Sequence, residues 1–121
     1  MLNALDLYGL KKCSTCQKVS KQLEAAGYDI NWIDIRQTPP QAELIRAAVD
    51  QVWPDVKKLF NSSGQAYRQS GLKDKIPDMS KEDIVTTLAE DGMLIKRPFL
   101  SDGDHVSVGS REQALAQWLD Q

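Results

Sequence analysis

The hydrophobic pattern changes period twice within the first 35 residues, and no other feature limits the fold so strongly. Leu5, Leu7 and Tyr8 form a short apolar segment that stops at Gly9, as a buried strand does. The spacing then becomes helical. Cys16, Val19, Ser20, Leu23 and Ala26 share one face, and Gly27 stands where a helix C-cap is expected. Tyr28 to Ile35, with Ile30, Trp32, Ile33 and Ile35, reads as a second strand. A helix between two strands implies a right-handed crossover and a parallel pair.

The middle of the chain is helical by the same criteria. Thr38-Pro39-Pro40-Gln41 reads as a helix start, with Thr38 as cap, Pro39 in the first turn and Gln41 reaching back. Leu44, Ile45, Ala48 and Val49 follow as one apolar stripe. Short helical pieces are expected over 54–60 and 67–72, separated by the turn Asn61-Ser62-Ser63-Gly64. Ser80-Lys81-Glu82-Asp83 is a capping signature ahead of Ile84, Val85, Leu88 and Ala89. Leu94-Ile95-Lys96 and Pro98-Phe99-Leu100 read as a strand interrupted by proline. Ser101-Asp102-Gly103-Asp104 is a hairpin turn, and His105 to Val108 a short strand. Ser110 and Gln113 frame a last helix carrying Ala114, Leu115, Trp118 and Leu119. The expected fold is α/β: a βαβ half, a helical insertion over about 39–91 and a ββα half, forming a four-stranded mixed sheet.

With 121 residues, 41% of them hydrophobic and 26% charged, the chain amounts to one domain able to bury a core without disulfides. A net charge of −2 is unsuited to a general nucleic-acid binder, so no direct nucleic-acid contact is expected. No stretch approaches the about 18 apolar residues of a membrane span. Met1 to Asp6 lacks a basic segment followed by a long apolar run, so no secretory signal is expected and the default location is the cytoplasm. There, two nearby cysteines point to redox chemistry or metal rather than to a structural disulfide.

Cys13-Ser14-Thr15-Cys16 falls where the first strand hands over to the first helix, the context of a thiol–disulfide site. The unpaired N–H groups of a first helical turn, with the positive end of the helix dipole, stabilise a thiolate at Cys13. Lys11 and Lys12 add positive charge, and together these should lower the Cys13 pKa below about 8.5. Cys16, one turn on, can attack the Cys13 sulfur and displace a mixed disulfide. Two inert cysteines are the alternative reading. Zinc is another, but only His105 is available as a further ligand within a chain, and no metal site is expected.

Lys96-Arg97-Pro98-Phe99 is the second informative segment. A cis Arg97–Pro98 bond would bend the chain at the start of a strand beside the first helix. The Arg97 backbone could then pair with a bound thiol substrate, and its guanidinium could hold an anion or the Cys13 thiolate. A trans proline on an edge strand with a solvated arginine accounts for the same residues. His105 has no acid fixed near it by spacing and reads as a turn or strand residue. Arg111 could reach the cysteines or lie solvated on the last helix. Trp32, Trp53 and Trp118 read as core, and Gly103 and Gly109 as turn glycines.

The segments Tyr8-Gly9-Leu10-Lys11-Lys12-Cys13-Ser14-Thr15-Cys16-Gln17-Lys18, Leu59-Phe60-Asn61-Ser62-Ser63-Gly64, Ile95-Lys96-Arg97-Pro98-Phe99-Leu100 and Val106-Ser107-Val108-Gly109 resemble, in this order, the arsenate reductase (ArsC)/Spx family. The resemblance implies a thioredoxin-like fold with a helical insert and a cis Pro98. In the glutaredoxin-coupled reductases of that family one cysteine attacks the oxyanion and three arginines hold it. Cys13 matches the nucleophile and Arg97 the arginine before the cis-proline. The insert arginine falls near Asn61, with Arg68 further on, and the last arginine falls near Ser110 or Arg111. Spx-type members instead use a Cys-x-x-Cys disulfide switch and bind the RNA polymerase α subunit.

The expected function is therefore a thiol–disulfide oxidoreductase, with arsenate reductase-like chemistry within its range. Cys13 is the expected nucleophile, Cys16 the resolving thiol and Arg97 the anion holder. Lys12, Ser14, Thr15, Pro98 and Arg111 are the expected substrate contacts. No bound cofactor is expected, and glutathione, glutaredoxin or thioredoxin would supply the electrons. The alternative is an Spx-like redox-responsive regulator that binds the RNA polymerase α subunit.

Overall fold

A computed structural model describes residues 3–120. Met1, Leu2 and Gln121 lie outside the described residues, and with them the first two positions read for a secretory signal. The first half is β1 (Asn3–Gly9), α1 (Ser14–Ala25) and β2 (Tyr28–Asp34), as the change of period requires. β1 and β2 are parallel, with Leu5 opposite Ile30 and Leu7 opposite Trp32. Gly27, at φ +99°, turns the chain from α1 into β2. The second half is β3 (Phe99–Ser101), β4 (Val106–Val108) and α6 (Glu112–Leu119). β3 runs antiparallel to β1, with Leu7 opposite Leu100, and β4 antiparallel to β3. The sheet order is β2-β1-β3-β4, a thioredoxin-like mixed sheet.

Between the halves lie α2 (Ala42–Val52), α3 (Gln65–Ser70), α4 (Leu72–Lys75) and α5 (Lys81–Glu90), with 3₁₀ turns at Val56–Leu59, Ile76–Asp78 and Gly92–Leu94. Alternation along β1 divides the core. Leu5 and Leu7 face α1 and α6, joining Cys16, Val19, Leu23, Leu100, Leu115 and Trp118. Tyr8 faces the insertion, with Phe99, Ile45, Val49, Ile84 and Leu88. Each fully buried aliphatic side chain contributes about 1.5–3 kcal/mol.

Several boundaries differ from the sequence reading. Thr38 does not cap α2. Its N–H bonds to the Asp34 carbonyl in the turn leaving β2, and the helix begins at Ala42 with Gln41 as N-cap. Leu94 is in a 3₁₀ turn, Ile95 forms an isolated bridge to Phe60, and β3 begins only at Phe99. The reason is Gly92, where a Cβ would lie 1.9 Å from the Ile35 carbonyl oxygen. Its approach to the end of β2 commits the following residues to a turn. Arg111, rather than Ser110, is the N-cap of α6. Trp53 is exposed at the end of α2, beside a second cis bond at Trp53–Pro54, with Lys81 Nζ 5.4 Å from its ring centroid. Ser80 and Asp83 form the expected reciprocal capping box. Among the described residues no helix is long and apolar enough to cross a membrane.

Candidate active site

The loop after β1 places Cys13 at the mouth of α1. The Cys13 N–H donates to the Leu10 carbonyl at 2.9 Å, and the Gln17 side-chain amide donates to the Lys11 carbonyl. Cys13 is the N-cap residue, in extended conformation (φ −79°, ψ 117°). Its sulfur lies by the Thr15 and Cys16 N–H groups of the first turn, where an anion is favoured. Cys13 is half-buried, Cys16 is buried, and both are free thiols.

The two sulfurs titrate in opposite directions. Burial raises the Cys13 pKa, but the Cys16 N–H, the Cys16 thiol, the Thr15 N–H and the Arg97 guanidinium outweigh it, and the net shift is downward. Cys16 is pushed up to about 11, chiefly by burial. The Leu10 N–H opposes this, the hydrogen bond and charge of Cys13 add to it, and Arg97 opposes it.

Arg97 is the cation that acts on both sulfurs; Lys11 and Lys12, expected to share that role, are solvent-exposed. The Arg97–Pro98 bond is cis. Arg97 is half-buried, and its guanidinium donates to Met93 Sδ at 3.6 Å. Buried Pro98 accepts the Gly109 N–H through its carbonyl at 2.9 Å. The backbone groups of Arg97 itself make no backbone hydrogen bond among the described residues. Gly9 and Leu10, expected only as the strand end and as part of the segment that resembles the family, also belong to the site. A Cβ on Gly9 would come within 2.7 Å of Cys16 Sγ, and Leu10 supplies an N–H to that sulfur. The signal was a glycine closing the strand two residues before a lysine pair, which reads equally well as a plain turn.

The model of the ArsC family matches residues 8–118, which spans both cysteines and Arg97. The chain belongs to the ArsC family. It is 45% identical over 114 residues to YusI, an uncharacterized protein of Bacillus subtilis (strain 168), covering 94% of this chain and 97% of that one. It is similar to the crystal structure of a possible arsenate reductase from Streptococcus mutans UA159, at 46% identity and a TM-score of 0.73, covering 79% of this chain and 81% of that one. It is 22% identical to the global transcriptional regulator Spx of Lactiplantibacillus plantarum (strain ATCC BAA-793 / NCIMB 8826 / WCFS1), over 93% of this chain and 84% of that one.

On this ArsC-family frame the remaining expected contacts divide. Ser14 is exposed and Thr15 half-buried in the first turn of α1, beside Cys13. Arg111 lines a separate cavity that includes neither Cys13 nor Arg97. Asn61 occupies the insert turn, its side chain accepting from Ser63 Oγ, and the Arg68 guanidinium donates to the Ser63 carbonyl at 2.7 Å. His105, read as having no acid nearby, has one: Asp102 Oδ2 is 3.1 Å from its Nδ1 in the exposed β3–β4 turn. Folding the hairpin closes that pair, and it lies outside the cysteine site. No group of three or more His, Cys, Asp and Glu side chains is clustered to hold a metal ion among the described residues.

Proposed function

We propose that this ArsC-family chain is a thiol–disulfide oxidoreductase of the cytoplasm, with Cys13 as nucleophile and Cys16 as resolving thiol. The division between the two sulfurs carries the reading: one half-buried and held low at a helix start, the other buried, held near 11 and hydrogen-bonded to the first. The Cys13 thiolate attacks one sulfur of a disulfide or glutathione adduct. That S–S bond breaks, a mixed disulfide forms on Cys13, and the departing thiolate takes a proton from solvent. Cys16 then loses its proton, attacks the Cys13 sulfur and releases the second thiol, leaving a Cys13–Cys16 disulfide. Two glutathione thiols, or the dithiol of glutaredoxin or thioredoxin, return two electrons and two protons. The Cys13 charge is one of the causes that raises the Cys16 pKa, and it disappears in the mixed disulfide. Cys16 therefore ionises more readily at the step that uses it.

Arg97 holds the anionic part of the substrate, with Lys12, Ser14, Thr15 and Pro98 around the attacked sulfur. An oxyanion is the weaker substrate. Asn61 stands where the resemblance expects an arginine, and each missing charge-assisted contact forgoes about 1.5–3 kcal/mol. The test is a glutathione-coupled disulfide reduction assay. Cys13→Ser is expected to lose turnover, and Cys16→Ser to accumulate a mixed disulfide visible by intact mass. Undiminished turnover by Cys13→Ser overturns the reading.

The similarity to Spx favours one second reading, a redox-responsive regulator acting through the RNA polymerase α subunit. Co-purification with that subunit that follows the Cys13–Cys16 redox state, without turnover, selects it.

A further inference from the structure

Arg111 opens onto a cavity of about 550 Å³ beside the edge strand β4, within the range of about 300–1,000 Å³ common for small-molecule sites. Four cations line it from three parts of the fold: Lys57 and Lys58 from the first 3₁₀ turn, Lys96 from the approach to Arg97, and Arg111 from the start of α6. No aspartate or glutamate is among the lining residues. None of the four has a side-chain hydrogen bond or ion pair among the described residues, whereas Arg36, Arg46 and Lys81 are each paired with a carboxylate. In a chain of net charge −2, four cations without an ion-pair partner border one concavity, Lys57, Lys58 and Arg111 exposed at its rim and Lys96 half-buried, with Glu112 beside Arg111 outside the lining. The start of α6, an eight-residue helix with no side-chain cap, adds first-turn N–H groups at Gln113 on the same wall.

We propose that this cavity is an anion-binding site, separate from the cysteine pair, for a small molecule carrying at least two phosphoryl or carboxylate groups. The cations enter from three separate elements, and the volume of about 550 Å³ exceeds that of a lone oxyanion, so the cavity has room for a second anionic group. Ser62 and Gln113 add neutral donors to the lining. The site does not depend on thiol chemistry and stands whether or not the chain is an oxidoreductase.

Titration calorimetry with pyrophosphate and with citrate as probes tests this on the intact chain. Saturable one-to-one binding that weakens with salt is expected for at least one probe. The tighter of the two assigns the site to phosphoryl or to carboxylate ligands. Lys58→Gln combined with Lys96→Gln is expected to weaken binding about tenfold or more. Cys13→Ser, and Lys73→Gln on a distant helix, are expected to leave it unchanged. Absence of saturable binding by both probes overturns the proposal. So does equal weakening by Lys73→Gln, or loss in Cys13→Ser with retention in the lysine pair variant.

Discussion

At Cys13, burial alone would favour the neutral thiol, and the donors around the sulfur reverse that preference. Arg97 is the charged member of that set, so Arg97→Gln is expected to raise the Cys13 pKa and slow its alkylation at pH 7, with the rate recovered at higher pH. A pH–rate profile with iodoacetamide checks this, and an unmoved profile would remove Arg97 from the role. Cys16 has the opposite sign. Its pKa rises on folding from 9.0 to about 11, so its contribution to stability is complete below about pH 9 and is lost as pH climbs through about 11. Cys16→Ser is therefore expected to lose less stability than the parent between pH 9 and 11, measured by urea unfolding across that window. The lowered Cys13 contributes in the other direction, with stability present above the ordinary thiol value and lost as pH falls through its folded value.

Among the elements, α5 and the turn after it hold the insertion against the sheet. Ser80 Oγ accepts the Asp83 N–H at 3.1 Å while the Asp83 carboxylate accepts the Ser80 N–H at 3.1 Å. Ser80→Ala is expected to cost about 0.5–2 kcal/mol by denaturant unfolding. Gly92 is more demanding, because the obstacle is the Ile35 carbonyl rather than a movable side chain. Gly92→Ala is expected to destabilise by at least about 1–3 kcal/mol, since backbone at the end of β2 must shift. A melting temperature equal to that of the parent would show that this contact has slack. The Ser80 box was legible in the sequence, because capping is a local matter of four residues. The role of Gly92 was not, because its partner is 57 positions away and only the packed insertion brings them together.

For the molecule as a whole, Trp118 ties the C-terminal helix to both edges of the sheet. Its indole N–H donates to Ser107 Oγ on β4 at 2.9 Å, and its carbonyl accepts from Tyr28 Oη on β2 at 2.7 Å. Its ring meets Tyr28 edge-on with centroids 6.3 Å apart. Trp118→Ala is expected to cost about 3–5 kcal/mol in urea unfolding, whereas Trp118→Phe should retain most of the packing and lose chiefly the Ser107 bond. The reading of the three tryptophans as core was right for Trp118 and wrong for Trp53, which α2 leaves at the surface. Residue type alone does not distinguish a helix's last turn from its buried stripe.

The local pattern by itself determined the strand–helix–strand opening, the Cys-x-x-Cys at a helix start, the helical middle and the antiparallel hairpin. Each of these is written within a few residues, in period, caps and turn chemistry. The sequence offered Lys11, Lys12 and Arg97 alike as cations for the cysteines, and only tertiary structure chose among them. Lys11 and Lys12 are neighbours in sequence but exposed to solvent, while the charge of Arg97, more than eighty residues away, acts on both sulfurs because β3 pairs with β1. It also sent Arg111 away from Cys13 into the cavity beside β4. Charges act through space, and only the closed sheet sets those distances.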